Sequence, residues 1–340
     1  MTTVKARLAA VALFSTLAAC GNVGSSAGAP PTAGAPTSTA GANSGAILEY
    51  AIPTAKASPT SITSGFDGAL WFTEWGAGKI GRVTTSGAFT EYPVPATGTD
   101  PDFIAAGSDG ALWFTETNGN KIGRITTAGK ISEYPIPTVN RLPQGITAGP
   151  DGALWFTEFG GIGRITTTGK VTEYQLPGTI VWAITAGPDG ALWFTKGTGE
   201  KGIGRMTTSG AVTDYAIPSG SLEVVSITAG RDGALWFTEA DIGKIGRITT
   251  SGAVTEYTIP STKSVPAGTN PGPSGITSGP DGALWFKATT MVGRLTTAGT
   301  FSLFTISTPA TGPEAITPGP DGALWFTEDS DHSKIGRIAP

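Results

Sequence analysis

Six residues, Asp-Gly-Ala-Leu-Trp-Phe, recur unchanged seven times, beginning at Asp67, Asp109, Asp151, Asp189, Asp232, Asp281 and Asp321. The copies are spaced 38 to 49 residues apart. A fixed period near 40 residues is the mark of a repeat architecture. The full unit reads Pro-x-x-Ile-Thr-x-Gly-Pro-Asp-Gly-Ala-Leu-Trp-Phe-Thr-Glu, a short gap, then Lys-Ile-Gly-Arg-Ile-Thr-Thr-x-Gly-x-x-x-Glu-Tyr-x-Ile-Pro. It holds four short β-type runs parted by Gly, Pro and Asp clusters, and no run has the 3.6-residue period of a helix. Asp-Gly between the first two runs signals a hairpin, because Gly accepts the positive φ of a tight turn. In Ala69-Leu70-Trp71-Phe72 neighbouring side chains point to opposite faces and all are apolar, which suits a strand buried on both sides.

Seven four-stranded antiparallel sheets packed face to face make an all-β, seven-bladed β-propeller. A linear solenoid would need polar capping repeats, and the chain shows none. The ends of the array support a closed ring. The last repeat stops after its third run, at Ile335-Gly336-Arg337-Ile338-Ala339-Pro340. The missing fourth run stands ahead of the first repeat, as Ile47-Leu48-Glu49-Tyr50-Ala51-Ile52-Pro53. The N-terminal strand is therefore expected to complete the last blade. Such closure leaves only short, protected edges, which resist edge pairing between molecules and point to a monomer.

The 340 residues divide into three parts. Residues 1–20 read as a targeting segment: Lys5 and Arg7 precede an apolar run from Leu8 to Ala19, too short to span a bilayer. The run ends in Leu17-Ala18-Ala19-Cys20, which resembles a bacterial lipobox and implies lipidation at Cys20. Cys20 is the sole cysteine, so neither a disulfide nor a cysteine metal cluster is available. Residues 21–46, nearly all Gly, Ala, Ser, Thr, Pro and Asn, read as a flexible tether. Residues 47–340 form the propeller. The expected setting is the cell envelope outside the cytoplasm, with membrane contact only through the lipid, or secretion if Cys20 is unmodified. A net charge of −4 leaves no basic footprint for nucleic acid.

In this topology the first strand starts, and the second and fourth strands end, around one mouth of the central channel. Two residues before each first-strand Ile stand Thr60, Asp102, Gln144, Trp182, Val225, Ser274 and Glu314, seven different residues beside an invariant core. This ring is either relaxed loop drift or a shaped ligand site. Asp102, Gln144, Trp182 and Ser274 are its candidate binding residues, with Trp75, the other tryptophan outside the repeated strand. Exposed tryptophan is typical of binding hot spots.

The second run ends in Glu74, Glu116, Glu158, Glu239 and Glu328, but in Lys196 and Ala288 in blades 4 and 6. Carboxylates converging on the mouth could hold a hard cation such as Mg²⁺. The structural alternative pairs them with the Gly-Arg arginines, Arg82 to Arg337. Glu328 is the candidate metal ligand, because Glu314 lies in the same blade on the same face. His332, the only histidine, falls in the loop after Glu328. No nucleophile motif, phosphate loop or zinc spacing is present.

With Trp-Phe-Thr-Glu and Lys-Ile-Gly-Arg-Ile-Thr in view, residues 47–340 resemble the virginiamycin B lyase (streptogramin lyase) family. The resemblance implies a propeller enzyme that linearises streptogramin B antibiotics by elimination, with a His base and Mg²⁺ polarising the ester. The family's working histidines would fall at Ser274, in Pro273-Ser274-Gly275-Ile276, and at Glu314, in Pro313-Glu314-Ala315-Ile316. An acidic partner two residues earlier would fall at Gly312, whereas the metal-type carboxylate is kept as Glu328. Three readings follow. One is a lipid-anchored propeller binding a small molecule or an envelope protein at its mouth. Another is a Mg²⁺-dependent lyase with Glu314 as substitute base, and the third, by fold analogy alone, a lactonase-like hydrolase.

Overall fold

The computed structural model describes residues 45–95, 98–197, 202–261, 270–289, 291–306, 315–328 and 333–340. Its strands form seven separate sheets, each of four antiparallel strands in sequential order. Blade 1 runs Pro59–Ser64, Ala69–Glu74, Lys79–Thr84 and Phe89–Pro93. Blade 7 closes as expected. Its Ile316–Pro318, Leu324–Glu328 and Lys334–Ile338 are completed by Ile47–Ala51, with Tyr50 opposite Ile335. Removing residues 1–51 should therefore expose the Lys334–Ile338 edge and unstack Tyr50 from Trp325, 5.5 Å away between centroids. We expect a melting temperature lower by about 10 °C or more and concentration-dependent aggregation, whereas removal of residues 1–44 should change neither.

The repeated strand works as a two-faced layer. Leu112 and Phe114 pack on the preceding blade, against Trp71, Ile80 and Val94, while Trp113 packs on the following blade with Ile146, Leu154 and Phe156. The same arrangement recurs at all seven seams. Every Leu-Trp-Phe in these strands is fully buried, so continuous apolarity reflects two packed faces and no solvent face.

Two columns of identity have local causes. The strand-three glycines lie opposite the phenylalanines: a Cβ on Gly81, Gly123 or Gly163 would stand 2.0–2.1 Å from the Phe ring. The hairpin aspartates lock the other end of each blade. Asp67 accepts hydrogen bonds from the Trp71 indole at 3.0 Å and from Arg82 Nε at 2.7 Å, and the guanidinium lies over the indole, 5.9 Å from its centroid. Both Asp bonds recur in all seven blades. The arginines are thus committed to the aspartates on the face opposite the mouth. They do not pair with the strand-two glutamates, the alternative raised by the sequence.

Candidate functional site

The mouth face is built by the starts of the first strands and the ends of the second. Behind it, six of the first-strand isoleucines, Ile62 and then Ile146 to Ile316, line a channel cavity of about 160 Å³, together with the residue before the Ile in all seven blades, which is Ser, Phe, Gly or Ala. No charged side chain lines it among the described residues. Any polar recognition must therefore come from the ring at its mouth.

A constant backbone carries that variable ring. In blades 1, 2 and 4 the pairing between the first two strands shifts register between the start of the first strand and its Ile. The threonine before each strand-two Glu or Lys fixes this bulge. Thr73 Oγ1 accepts the Ser61 N–H at 3.1 Å and donates to the Asp102 carbonyl of the next blade at 2.7 Å. Likewise, Thr157 Oγ1 donates to the Trp182 carbonyl at 2.8 Å. Because the ring residue is held by its main chain, its side chain is open to change without disturbing the fold.

The predicted binding residues occupy this face but do not form one cluster. Asp102, in blade 2, is only 8 % exposed. Gln144 is half-buried in blade 3, its N–H donating to the Thr157 carbonyl at 2.9 Å. Trp182 is half-buried in blade 4, with its indole over Gly197, where a Cβ would meet Nε1 at 2.2 Å. Trp75 is 37 % exposed beyond the second strand of blade 1, three blades from Trp182. Ser274 of blade 6 donates its N–H to the Lys287 carbonyl at 2.8 Å. Cys20, Gly312, Glu314 and His332 lie outside the described residues.

The strand-two glutamates do not converge on the mouth. Each is buried at a seam beside its own third and fourth strands. Glu74 faces Lys79, whose Nζ binds Glu91 Oε2 at 2.8 Å. Burial first, and then the charge of Glu91, pushes the Glu74 carboxyl up to about 8, against the pull of Lys79. Glu116 and Glu158 are pushed to about 7, again chiefly by burial. The blades lacking one member of this Glu-Lys-Glu set compensate. In blade 3, Gly161 replaces the lysine, and Arg141 reaches Glu173 at 3.1 Å and Glu158 at 3.7 Å. In blade 4 the cation moves to strand two, where Lys196 pairs with Asp214 at 2.7 Å. In blade 6 the whole set becomes apolar, as Ala288, Met291 and Leu303.

Glu328 has a different neighbour. Its carboxyl is fully buried and pushed up to about 7, by burial first and then by Glu49, opposed by Lys287 and Lys334. Lys287 stands where six blades have threonine, and its Nζ lies 4.9 Å above the centre of the Phe326 ring. Glu49 is already bound by Lys334 at 2.8 Å, which leaves Glu328 as the one described carboxylate at this seam outside an ion pair, fewer oxygens than a hard dication needs. Among the described residues no three His, Cys, Asp or Glu side chains are placed to hold a metal. Sequence reasoning missed Lys287. The available signal was its position as the one break in the threonine column.

The virginiamycin B lyase family model matches residues 39–181 and 177–340. The chain belongs to the virginiamycin B lyase family. A solved streptogramin B lyase is 38 % identical to it, over 86 % of this chain and 97 % of the other, with a TM-score of 0.79. A catalytically inactive histidine-to-alanine variant of virginiamycin B lyase from Staphylococcus aureus, solved with quinupristin, is 40 % identical over 87 % and 99 %, also at 0.79. The extracellular domain of a putative hybrid two-component system from B. thetaiotaomicron has a TM-score of 0.68 at 16 % identity, covering 85 % of this chain and 39 % of its own, a likeness of fold alone.

Proposed function

We propose that this chain is a binding propeller of the virginiamycin B lyase family, taking a small molecule or an envelope protein at its mouth ring, and not a streptogramin lyase. The observation that carries the reading is the bulge of blades 1, 2 and 4, where one hydrogen-bonded backbone carries three different residues, Thr60, Asp102 and Trp182, above an apolar channel. Elimination at an ester needs a base poised near neutral pH. Ser274 supplies none, and the chain's one histidine, His332, is not at either position that the resemblance assigns. Quinupristin incubated with the purified full chain and Mg²⁺ should yield no ring-opened product by mass spectrometry. Accumulation of product with time would overturn the reading. Trp182→Ala and Gln144→Ala should each weaken any ligand found by thermal-shift screening at least tenfold, an effect of about 1.4 kcal/mol. Unchanged affinity in both would remove the ring from consideration.

The Mg²⁺-dependent lyase remains the second reading, favoured by 38–40 % identity over nearly the whole propeller and by retention of Glu328. In it Glu314 would act as the base, and the quinupristin assay decides between the two. An extracytoplasmic, lipid-anchored setting suits both. Gly45 donates its N–H to the Ala339 carbonyl on the face opposite the mouth, so an N-terminal tether would leave the mouth unobstructed. Cys20→Ser should move the protein from the membrane to the soluble fraction, and retention on the membrane would refute the anchor.

A further inference from the structure

The channel carries a second variable ring, one residue inside the first. Each mouth-ring residue is followed directly by a residue of the channel wall, as in Gln144-Gly145 and Trp182-Ala183. Six of these wall residues are Ser, Gly or Ala, and the seventh is Phe103 of blade 2. The small side chains leave the cavity of about 160 Å³ open. Phe103 packs against the seam cluster that holds Trp113 and Ile146, which fixes its place in the wall. The two wall hydroxyls tie neighbouring blades together: Ser61 Oγ accepts the Ile104 N–H at 3.2 Å, and Ser226 Oγ accepts the Ile276 N–H at 3.3 Å. No charged side chain stands among the described wall residues.

We propose that this cavity seats one uncharged aromatic group of the ligand held at the mouth ring, a ring of phenyl size entering beside Phe103. The proposal rests on the reading of the mouth ring as a ligand site and names the chemistry that the site selects. Size is the first argument. An apolar cavity of about 150 Å³ in a protein core is enough to bind benzene, and the channel offers about 160 Å³. Charge is the second. A carboxylate or ammonium entering the channel would shed its water with no opposite charge on the described wall to replace it. Phe103 then decides between ring and aliphatic chain, because an offset or edge-to-face aromatic pair is favoured beyond the area it buries. Wall and mouth residues are consecutive along each first strand, so polar groups next to the seated ring would lie at the level of Gln144 and Trp182.

Fragment binding to the full chain tests this, read by ligand-observed NMR. The probes are toluene and N-acetylphenylalanine amide, which carries the same ring on a peptide. At least one should bind with a Kd in the millimolar range, and the tighter of the two identifies a small molecule or a peptide side chain as the better carrier of the ring. Benzoate and benzylamine, each with a charge beside the ring, should bind at least tenfold more weakly. Ala183→Leu and Ala315→Leu fill the channel from different blades, and thermal unfolding shows which of them keeps the fold. A folded filled variant should lose at least tenfold in affinity for the neutral probes. No binding of either neutral probe at about 5 mM, or equal affinity in a folded filled variant, would overturn the proposal. A screened ligand that loses affinity in Trp182→Ala but not in the filled variants would also overturn it, while leaving the mouth ring as the binding site.

Discussion

Gly246→Ala should be among the most damaging single substitutions in this protein, despite adding one methyl group. The new Cβ would stand 2.1 Å from Phe237 ring carbons, against a contact distance of about 3.5–4.0 Å. Phe237 has no room to retreat, being fully buried with Trp193, Ile203, Leu235 and Ile248 in one seam. Overpacking of a rigid core costs about 1–3 kcal/mol when neighbours yield, and here the obstacle is a ring clamped between blades. A loss of about 3 kcal/mol or more is expected, read as a melting temperature lower by roughly 6–12 °C or as failure to fold. Phe237→Leu in the same chain should recover part of it by vacating the ring. The control is Gly233→Ala, where φ is +74° and nothing lies within 4 Å of the added methyl. That change carries only the left-handed backbone cost of about 1 kcal/mol. Equal losses at the two glycines would refute the steric account of the strand-three column.

The protein should be most stable near pH 5 and lose stability on the way to pH 8, an unusual direction for an acidic chain. Burial raises Glu74 from 4.5 to about 8 and Glu116, Glu158 and Glu328 to about 7, and Glu239 is raised as well. Between the unfolded and folded values the native state holds protons that the unfolded chain has released. Stability from these groups is therefore complete below about 4.5 and declines as pH rises through 7–8. The hairpin aspartates act in the other direction. Burial alone would raise Asp67, but hydrogen bonds from Trp71 and Arg82 outweigh it and hold the carboxyl below its usual value. The same holds from Asp109 to Asp321. Their contribution is present above about 3.8 and lost as pH falls further. Each pKa unit is worth about 1.4 kcal/mol, so a fall in melting temperature on the order of 10 °C from pH 5 to pH 8 is expected. Glu74→Gln should raise the melting temperature at pH 8 and leave it nearly unchanged at pH 5. A flat or rising wild-type profile over this range would contradict the buried, protonated assignment.

Much of the architecture was legible because each repeat states its own local rules. Asp-Gly names the hairpin, and an apolar run without alternation names a strand with two packed faces. The three-run ending beside an N-terminal orphan run names the closure, which the pairing of Ile47–Ala51 with Lys334–Ile338 bears out. The site was less legible for a physical reason. Side chains that meet across a seam belong to different repeats, and their partnership leaves no mark at a fixed spacing. The Gly-Arg arginines illustrate it: adjacency in the repeat suggested the strand-two glutamates, yet each guanidinium turns back to the hairpin Asp and in six blades covers the Trp of its own blade. Arg141 completing the charge set of blade 3 is a second case, since it lies in the loop before that blade.

The sequence by itself determined the number of blades, their four-stranded form and the ring closure, because these follow from hydrogen bonding and apolar periodicity within about 40 residues. It also marked the mouth ring as the variable part of a constant frame. Only the tertiary structure decided which charges face one another. It enclosed the strand-two glutamates within the seams, where burial pushes their carboxyls up, and brought Lys287 of blade 6 over Phe326 of blade 7. Electrostatic partnership depends on distance and on the exclusion of water, and both are properties of packed blades, not of the order of residues along one of them.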